Sequence, residues 1–306
     1  VPFTRYLRPH LITAGQYGLI QRVVGDLGTA MVKLRQAILR DDRLLDELDL
    51  TPEERRLSLI DPGFEEPSPS SRLDSFWSEK DWRFVEMNAE SPAAIAYEDI
   101  LADLFLELPV IQQWQRQNGY RLQLLYARER FMRAIRETWA EFRKNRGAGF
   151  NEIPNIAIVD WAGVPTTSEF ELFRQYFTAQ GLPVKITTPQ ELEFRGGRLY
   201  AGDFPIDIYY KRVLTSELLE KPDVAAPTLQ AYEAGVVCVI NAFRAKLLHK
   251  KMSFALLSDD ANAHLFTRQE KETIERHIPW TRKVQEGHTK FNGQDVDLVQ
   301  FIADNR

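Results

Sequence analysis

Along the first half of the chain, apolar residues recur at spacings of three and four, which is the period of an amphipathic helix. This pattern predicts a long helix from about Tyr17 to Leu39. A shorter helix is expected after Thr51, because its hydroxyl can cap a first turn that carries acidic residues. Two more helices are predicted over residues 97–108, which Pro109 ends, and over residues 120–146. The N-terminal half is therefore expected to be mainly helical.

The pattern changes after residue 150. Two short apolar runs, "IPNIAIVDW" and "LPVKITT", predict strands, and the helical segment between them ends at Gly181. Strand, helix and strand at this spacing indicate a βαβ unit with a parallel pair. A hairpin around Gly196, a strand "FPIDIYYKRVL", and a helix–strand–helix run over residues 228–259 follow, and then a helix over residues 267–278. The sequence thus predicts an α/β fold with a partly parallel sheet.

Composition excludes several classes of protein. The chain has 306 residues, of which 44% are hydrophobic and 27% charged, and its net charge of −5 argues against a general nucleic-acid binder. No apolar run approaches the roughly 20 residues of a membrane span, and no signal peptide opens the chain. The single cysteine, Cys238, lies in an apolar run and is expected to be a small buried side chain. These features favour a cytoplasmic protein without a membrane or nucleic-acid partner, and leave its oligomeric state open.

A short aromatic-rich hairpin at residues 71–94 carries the most informative polar pattern. Arg72 and Asp74 lie on its first arm, and Glu86 and Asn88 lie on its second. Each pair is spaced by two, so on an extended strand both members point to one face. How these side chains meet depends on the register of the two arms.

Loop length decides that register. A loop of two or four residues pairs positions whose numbers sum to an odd value and sets Asp74 opposite Val85. A three-residue loop, Glu79–Lys80–Asp81, gives even sums and sets Asp74 opposite Glu86, and Arg72 opposite Asn88. The even register separates charged from apolar side chains better, so we predict it.

Two directly opposed carboxylates destabilise a strand pair by about half a kcal/mol. Protonation of one acid, pairing with Arg72, or a divalent cation would relieve the repulsion. Two carboxylates and an amide oxygen suit Mg²⁺ that is shared with phosphates. Spacing alone leaves open a surface hairpin whose acids pair with Arg72, Arg83 or Lys80.

The hairpin resembles the metal-binding segment of the circularly permuted ATP-grasp ligases, the family of glutathionylspermidine synthetase and eukaryotic glutathione synthetase. The segments "RLD" and "VEMNAESPAA" carry this resemblance. The resemblance implies that Asp74, Glu86 and Asn88 are ligands of Mg²⁺. It also implies that Arg72 faces the phosphoryl group that is transferred from ATP. The activity implied is an ATP-dependent, ADP-forming carboxylate–amine ligase with small-molecule carboxylate and amine substrates.

Later segments extend the resemblance. The order of elements over residues 151–245 resembles the family's Rossmann-like substrate domain, in which Arg212 would meet a substrate carboxylate. Pairing of Arg212 with Asp207 or Glu217 is the alternative. The stretch "AKLLHKKMSF" resembles the turn that opens the nucleotide-facing helix, which implies that Lys250 or Lys251 contacts ATP phosphate, although two adjacent lysines are also common on a solvated surface.

The resemblance also implies domain boundaries. Residues 1–150 would form a helical region with the metal-binding hairpin, and residues 151–245 the Rossmann-like domain. Residues 246–306 would begin the nucleotide-facing lobe. The family's glycine-rich ATP segment would follow Arg306, and the chain starts at Val1 rather than methionine, so we expect a truncated chain.

Two alternatives to a ligase stay open from the sequence. A non-catalytic binding or scaffold domain of the same ancestry would keep the fold without nucleotide chemistry. A metal-dependent hydrolase would need a further acid or histidine beside the carboxylates. A zinc site is disfavoured because no two of the five histidines are spaced by four and none lies near cysteine, and no Gly-x-Ser-x-Gly motif supports a serine hydrolase.

Overall fold

The computed structural model describes residues 9–78, 81–147 and 149–305, and its contacts divide the chain into two compact units. Of the described residues, the first unit contains 9–11, together with those of Thr51–Arg72 and Asn88–Lys246. The second unit contains Ile12–Leu50 and Leu73–Met87, together with residues from Leu247 onward. Each unit is therefore assembled from separate stretches of the sequence.

Helices and strands alternate in the first unit, while helices dominate the second. In chain order the α-helices are α1 (Ala14–Ile38), α2 (Asp42–Asp46), α3 (Pro52–Leu59), α4 (Ile95–Glu107), α5 (Pro109–Asn118), α6 (Ala127–Arg146), α7 (Thr167–Ala179), α8 (Thr215–Leu219), α9 (Pro222–Glu233), α10 (Lys246–His249), α11 (Met252–Leu257), α12 (Arg268–His277) and α13 (Leu298–Asp304). The β-strands are β1 (Arg72–Trp77), β2 (Trp82–Asn88), β3 (Ile156–Val159), β4 (Val184–Thr187), β5 (Leu192–Arg195), β6 (Arg198–Ala201), β7 (Phe204–Ile206), β8 (Ile208–Lys211), β9 (Cys238–Ile240), β10 (His288–Phe291) and β11 (Gln294–Asp297).

A parallel sheet of order β4-β3-β8-β9 forms the centre of the first unit. Ile156 pairs with Val184 on one side and with Ile208 on the other, and Ile208 pairs with Cys238. The predicted parallel pair and the α/β class are confirmed. Cys238 is fully buried, as a small apolar side chain would be.

Both faces of this sheet are covered, which explains why its strands read as continuous apolar runs. One face packs against aromatic side chains of α6 and α7, such as Phe131 and Phe173. The other face packs against α9 and against the antiparallel sheet β5-β6-β7, whose hairpin pairs Leu192 with Ala201. Because all four strands are parallel, their carboxyl ends lie at the same edge of the sheet, where open α/β folds bind ligands.

Capping determines where several helices begin. Thr13 and Thr51 each form a capping box at the start of α1 and α3, so both predicted helices are confirmed. The helix predicted over residues 120–146 begins only at Ala127. The buried Asp99 carboxylate accepts hydrogen bonds from the amides of Ala127 and Arg128 at 2.7 and 3.1 Å and fixes that start from another helix.

Two further differences from the predicted elements have local causes. Pro109 ends α4, as predicted, but it also occupies the first position of α5, a helix that periodicity missed. The strand predicted over "FPIDIYYKRVL" is two strands, β7 and β8, which belong to different sheets. They separate at Asp207, whose carboxylate accepts from the Asn155 amide at 2.9 Å and from the Arg198 guanidinium at 2.5 Å.

In the second unit, α1 packs against α11 and α12. The β1–β2 hairpin contributes Trp82 and Phe84, which are 8% and 1% exposed. His277 at the end of α12 contacts both rings, and its Nδ1 lies 2.9 Å from the Trp82 carbonyl oxygen. One face of the hairpin is thus part of the apolar core of this unit.

Candidate functional site

The hairpin that carries the predicted metal ligands has an odd register at its turn. The Ser78 amide donates to the Asp81 carbonyl at 2.8 Å, and the rings of Trp77 and Trp82 lie 4.7 Å apart. The Trp82 indole also donates to Ser75 Oγ at 3.0 Å. All three contacts join positions whose numbers sum to an odd value, so the predicted even register is wrong at this end of the hairpin.

Aromatic burial explains the difference. Burying a large aromatic side chain contributes a few kcal/mol, which outweighs the roughly half a kcal/mol at stake in separating surface charges. The odd register lets Trp77, Trp82 and Phe84 share one face. An unbroken ladder of this register would set Asp74 opposite Val85. Glu79 and Lys80 of the predicted loop lie outside the described residues.

The four predicted hairpin residues lie near the ends of the two strands. Arg72 is exposed and donates from its guanidinium to the Ala93 carbonyl at 3.1 Å. Asp74, Glu86 and Asn88 are each partly buried. Solvent can therefore reach the region where the sequence predicts a metal, which a cation that exchanges with phosphates requires.

One contact joins the predicted metal segment to the predicted nucleotide segment. Lys251 Nζ lies 3.0 Å from Glu86 Oε2, and the lysine side chain is 72% exposed while the glutamate is 29% exposed. Lys250 instead directs its ammonium group to the Asp49 carbonyl at 3.4 Å. The two residues come from distant parts of the sequence, so this proximity is information that spacing did not contain.

Arg212 lies at the carboxyl end of β8, as the sequence indicated, but its side chain is buried. One guanidinium nitrogen donates to the Pro92 carbonyl at 2.5 Å, and another lies 3.5 Å from the Glu169 carboxylate. The alternative partners Asp207 and Glu217 bind Arg198 and the Trp161 indole instead. Arg212 Nε is buried without a hydrogen-bond partner among the described residues.

Two acids near Arg212 escaped the sequence analysis. Asp160 directly follows β3 at the carboxyl edge of the sheet, and burial raises the pKa of its carboxyl group. Burial likewise raises the pKa of Glu169, which also accepts from the Ala96 amide at 3.1 Å. An acid at the end of a buried parallel strand was the available signal for Asp160. Nothing local in the sequence marks Glu169, which lies on α7.

A buried group of charges near this edge was also missed. Glu90 and Lys211 are fully buried and lie 3.2 Å apart, and Lys246 lies 2.9 Å from Glu90. Burial lowers the pKa of Lys211. Burial also works to lower the pKa of Lys246, but contacts with Glu90 and Glu54 outweigh it and raise that pKa overall. The group is electrically balanced and closed to solvent.

The second unit also contains an open pocket of about 870 Å³. It lies beside the C-terminal half of α1 and the segment 282–289, and positive residues such as Lys33 and Arg282 alternate with acids such as Asp41 around it. None of the residues predicted as ligands or catalytic groups lines it.

Oxygen ligands of the right type for Mg²⁺ are present in the hairpin. In the described parts of the chain, no three histidine, cysteine, aspartate or glutamate side chains are grouped to hold a metal. The predicted set has two carboxylates and one amide oxygen, which suits a cation whose remaining coordination positions are filled by water and phosphate.

No helix among the described residues is long and apolar enough to cross a membrane.

The chain is similar in fold to a glutathione synthetase-like effector (GSS30) from Globodera pallida, whose structure was solved in its apo form. The TM-score is 0.57 at 12% sequence identity, and the match covers 98% of this chain and 69% of that chain. No protein-family model and no curated protein matches the sequence. The similarity shows a glutathione synthetase-like fold and is silent on activity.

Proposed function

We propose that this chain belongs to an ATP-dependent, ADP-forming carboxylate–amine ligase. The observation that supports it most is the contact between Lys251 and Glu86, because it pairs the lysine expected at ATP phosphate with an acid expected at Mg²⁺. In phosphoryl-transfer sites an acidic residue commonly holds Mg²⁺ while a lysine contacts the same phosphates, which brings the two side chains close together. The glutathione synthetase-like fold is consistent with this chemistry.

In the proposed mechanism, a substrate carboxylate attacks the γ-phosphorus of ATP, which breaks the bond to the β,γ-bridging oxygen, releases ADP and leaves an acyl phosphate. An amine then attacks the acyl carbon, releases phosphate and forms the amide. Asp74, Glu86 and Asn88 would hold Mg²⁺, which supplies charge neutralisation at the phosphates. Lys251 would bind phosphate as a point charge, with Lys250 as the adjacent alternative. Arg72 would stabilise the transferring phosphoryl group, since its guanidinium is exposed.

The proposal requires that Asp74 and Glu86 point to one face of the hairpin. The odd register at the turn would separate them in an unbroken ladder. However, β2 has seven residues and β1 has six, which is the count that a β-bulge produces. A bulge between Phe84 and Glu86 would set Asp74 opposite Glu86 and Arg72 opposite Asn88.

Arg212 would bind the substrate carboxylate, and Asp160 offers a charge for the substrate amine. Both residues follow parallel strands at the edge where open α/β sheets bind ligands. An incoming carboxylate would replace the weak 3.5 Å contact of Arg212 with Glu169. A guanidinium suits this exchange, because it can bind a carboxylate through two hydrogen bonds.

A second candidate is a binding domain without nucleotide chemistry. It is favoured by the finding that Glu86 and Arg212, two groups expected to meet ligands, already contact Lys251 and Glu169. In that case both ion pairs are structural, and neither Mg²⁺ nor ATP displaces them.

The deciding experiment is a titration of Mg-ATP into the full-length product of the encoding gene, followed by an ADP-release assay with a panel of amino acids and polyamines. The double variant Asp74→Asn/Glu86→Gln should reduce ADP release by at least about a hundredfold, as loss of metal-ion charge neutralisation would. Asp81→Asn is the matched control, because Asp81 is an exposed acid of the same hairpin that pairs with Arg83 and is not a predicted metal ligand. Undiminished ADP release in the double variant would reject the ligase proposal, and absence of Mg-ATP binding would favour the second candidate.

A further inference from the structure

The segment that leaves β2 and enters α4 is held unusually tightly for a connection. Residues 89–96, called the strap below, contain the sequence "AESPAAIA". The Ala89 carbonyl accepts from Ser68 Oγ at 2.7 Å and from the Asn241 side-chain amide at 2.6 Å. Further along, the Pro92 carbonyl accepts from Arg212 at 2.5 Å. Side chains rather than a strand ladder thus hold its backbone.

Glu90 is the most deeply fixed member of the strap. Its carboxylate is fully buried and accepts from Lys246 Nζ at 2.9 Å, from Lys211 Nζ at 3.2 Å and from the Thr215 amide at 3.0 Å. The Thr215 hydroxyl donates to the same carboxylate. These groups come from β8, from α8 and from the start of α10, so Glu90 ties the strap to three elements of the first unit.

Buried ion pairs of this kind are poor evidence for extra stability, because apolar replacements of similar volume are often equally stable. Their attested use is to select one arrangement of the chain over its alternatives. Here the arrangement selected is the path of the backbone directly after Asn88. A shift of that path would turn the Asn88 side chain, since the two residues are separated only by Ala89.

We propose that Glu90 is a positioning residue that fixes the strap and thereby sets the direction of the Asn88 side-chain oxygen toward a bound divalent cation. The role toward the cation rests on the proposed function. The role in the strap does not, because it follows from the contacts of Glu90 alone. Residues that hold metal ligands in place commonly change metal affinity by about 10- to 100-fold when replaced.

Glu54 provides a matched control. It is nearly as buried as Glu90 and contacts the same lysine, Lys246, at 3.2 Å. It lies on α3, however, outside the strap, where its carboxylate also accepts from the Thr51 amide at 3.0 Å. Glu54→Gln therefore disturbs the same lysine without changing a residue of the strap.

Hydrogen–deuterium exchange of the wild type, Glu90→Gln and Glu54→Gln tests the strap. Amides of residues 89–96 other than Pro92, which has no N–H, should exchange at least about tenfold faster in Glu90→Gln and at the wild-type rate in Glu54→Gln. If Glu90→Gln fails to fold, Ser68→Ala removes one hydrogen bond from the Ala89 carbonyl without changing charge, and should accelerate exchange at the same amides. Unchanged exchange in the folded variant, or equal effects of Glu90→Gln and Glu54→Gln, would overturn the role of Glu90.

Titration with Mn²⁺, followed by electron paramagnetic resonance, tests the role toward the cation. Glu90→Gln should weaken Mn²⁺ binding about tenfold, and Glu54→Gln should stay within about twofold of the wild type. If the wild type binds Mn²⁺ and Glu90→Gln binds it equally well, only the positioning role fails. If the wild type binds no Mn²⁺, the proposed metal site fails, and the role of Glu90 toward a cation fails with it.

Discussion

Two lysine–glutamate pairs in this chain have nearly the same geometry and opposite surroundings. Lys211 and Glu90 lie 3.2 Å apart with both side chains fully buried. Lys251 and Glu86 lie 3.0 Å apart, with the lysine 72% and the glutamate 29% exposed. The first pair is enclosed by further partners, whereas water reaches the second. The same pair of side chains is thus enclosed in one unit and solvent-accessible in the other.

The difference shows that distance alone does not identify a functional ion pair. Removing one member of an enclosed pair leaves an uncompensated charge in a medium of low polarity. An exposed pair contributes only about 0–1 kcal/mol, so its loss should affect folding little. The comparison therefore separates effects on stability from effects on ligands.

The largest expected effect is on folding. Glu90→Ala should lower the free energy of unfolding by about 3–5 kcal/mol, because fully buried Lys211 would lose the counter-charge of Glu90, and Lys246 would lose one of its two acidic partners. Urea unfolding followed by circular dichroism measures this change. Lys251→Ala is the matched exposed variant and should change stability by less than about 0.5 kcal/mol. Similar losses in the two variants would contradict the distinction between the pairs.

A smaller effect concerns pH. Burial raises the pKa of Asp160 above its ordinary value, so the folded state holds the carboxyl proton more tightly than the unfolded state. The protonated carboxyl group of Asp160 makes its full contribution to stability below the ordinary pKa. This contribution is lost as the pH rises through the raised pKa of the folded state. The stability of Asp160→Asn relative to wild type should therefore increase from pH 4 to pH 7.

Glu171 should show the opposite pH dependence of stability. Hydrogen bonds from Arg174 and Gln175 lower its pKa to about 2, so its contribution is present above the ordinary pKa and is lost as pH falls. Glu171→Gln should lose stability relative to wild type between pH 4 and pH 7, by a small amount because the pair is exposed. Parallel trends in the two variants would show that Asp160 is not perturbed by burial.

Sequence periodicity predicted the parts of the fold that local physics determines. Apolar periodicity predicted α1, the Thr51 cap predicted α3, and apolar runs on either side of a helix predicted that β3 and β4 are a parallel pair. The start of α6 was missed because Asp99, remote in sequence, supplies the cap. Tertiary contacts of this kind leave no mark on the segment that they shape.

The candidate site shows the same limit. Polar spacing identified Asp74 and Glu86, but aromatic packing of Trp77 against Trp82 set the register at the turn. The carboxyl end of β8 could be predicted for Arg212, whereas its buried contact with Glu169 could not. The separation of charged from apolar side chains was too weak a criterion for the register, because it stabilises the hairpin less than the burial of one aromatic ring does.

The central claim is that Lys251 and Glu86 form an open pair whose members bind phosphate and a cation, respectively. It is tested most directly by titrating wild type and Lys251→Met with Mn²⁺ alone and with Mg-ATP. Loss of the ammonium group should tighten Mn²⁺ binding, because a competing positive charge leaves Glu86, and should weaken Mg-ATP binding by about tenfold. Unchanged affinity for both ligands, or the same direction of change for both, would contradict the account.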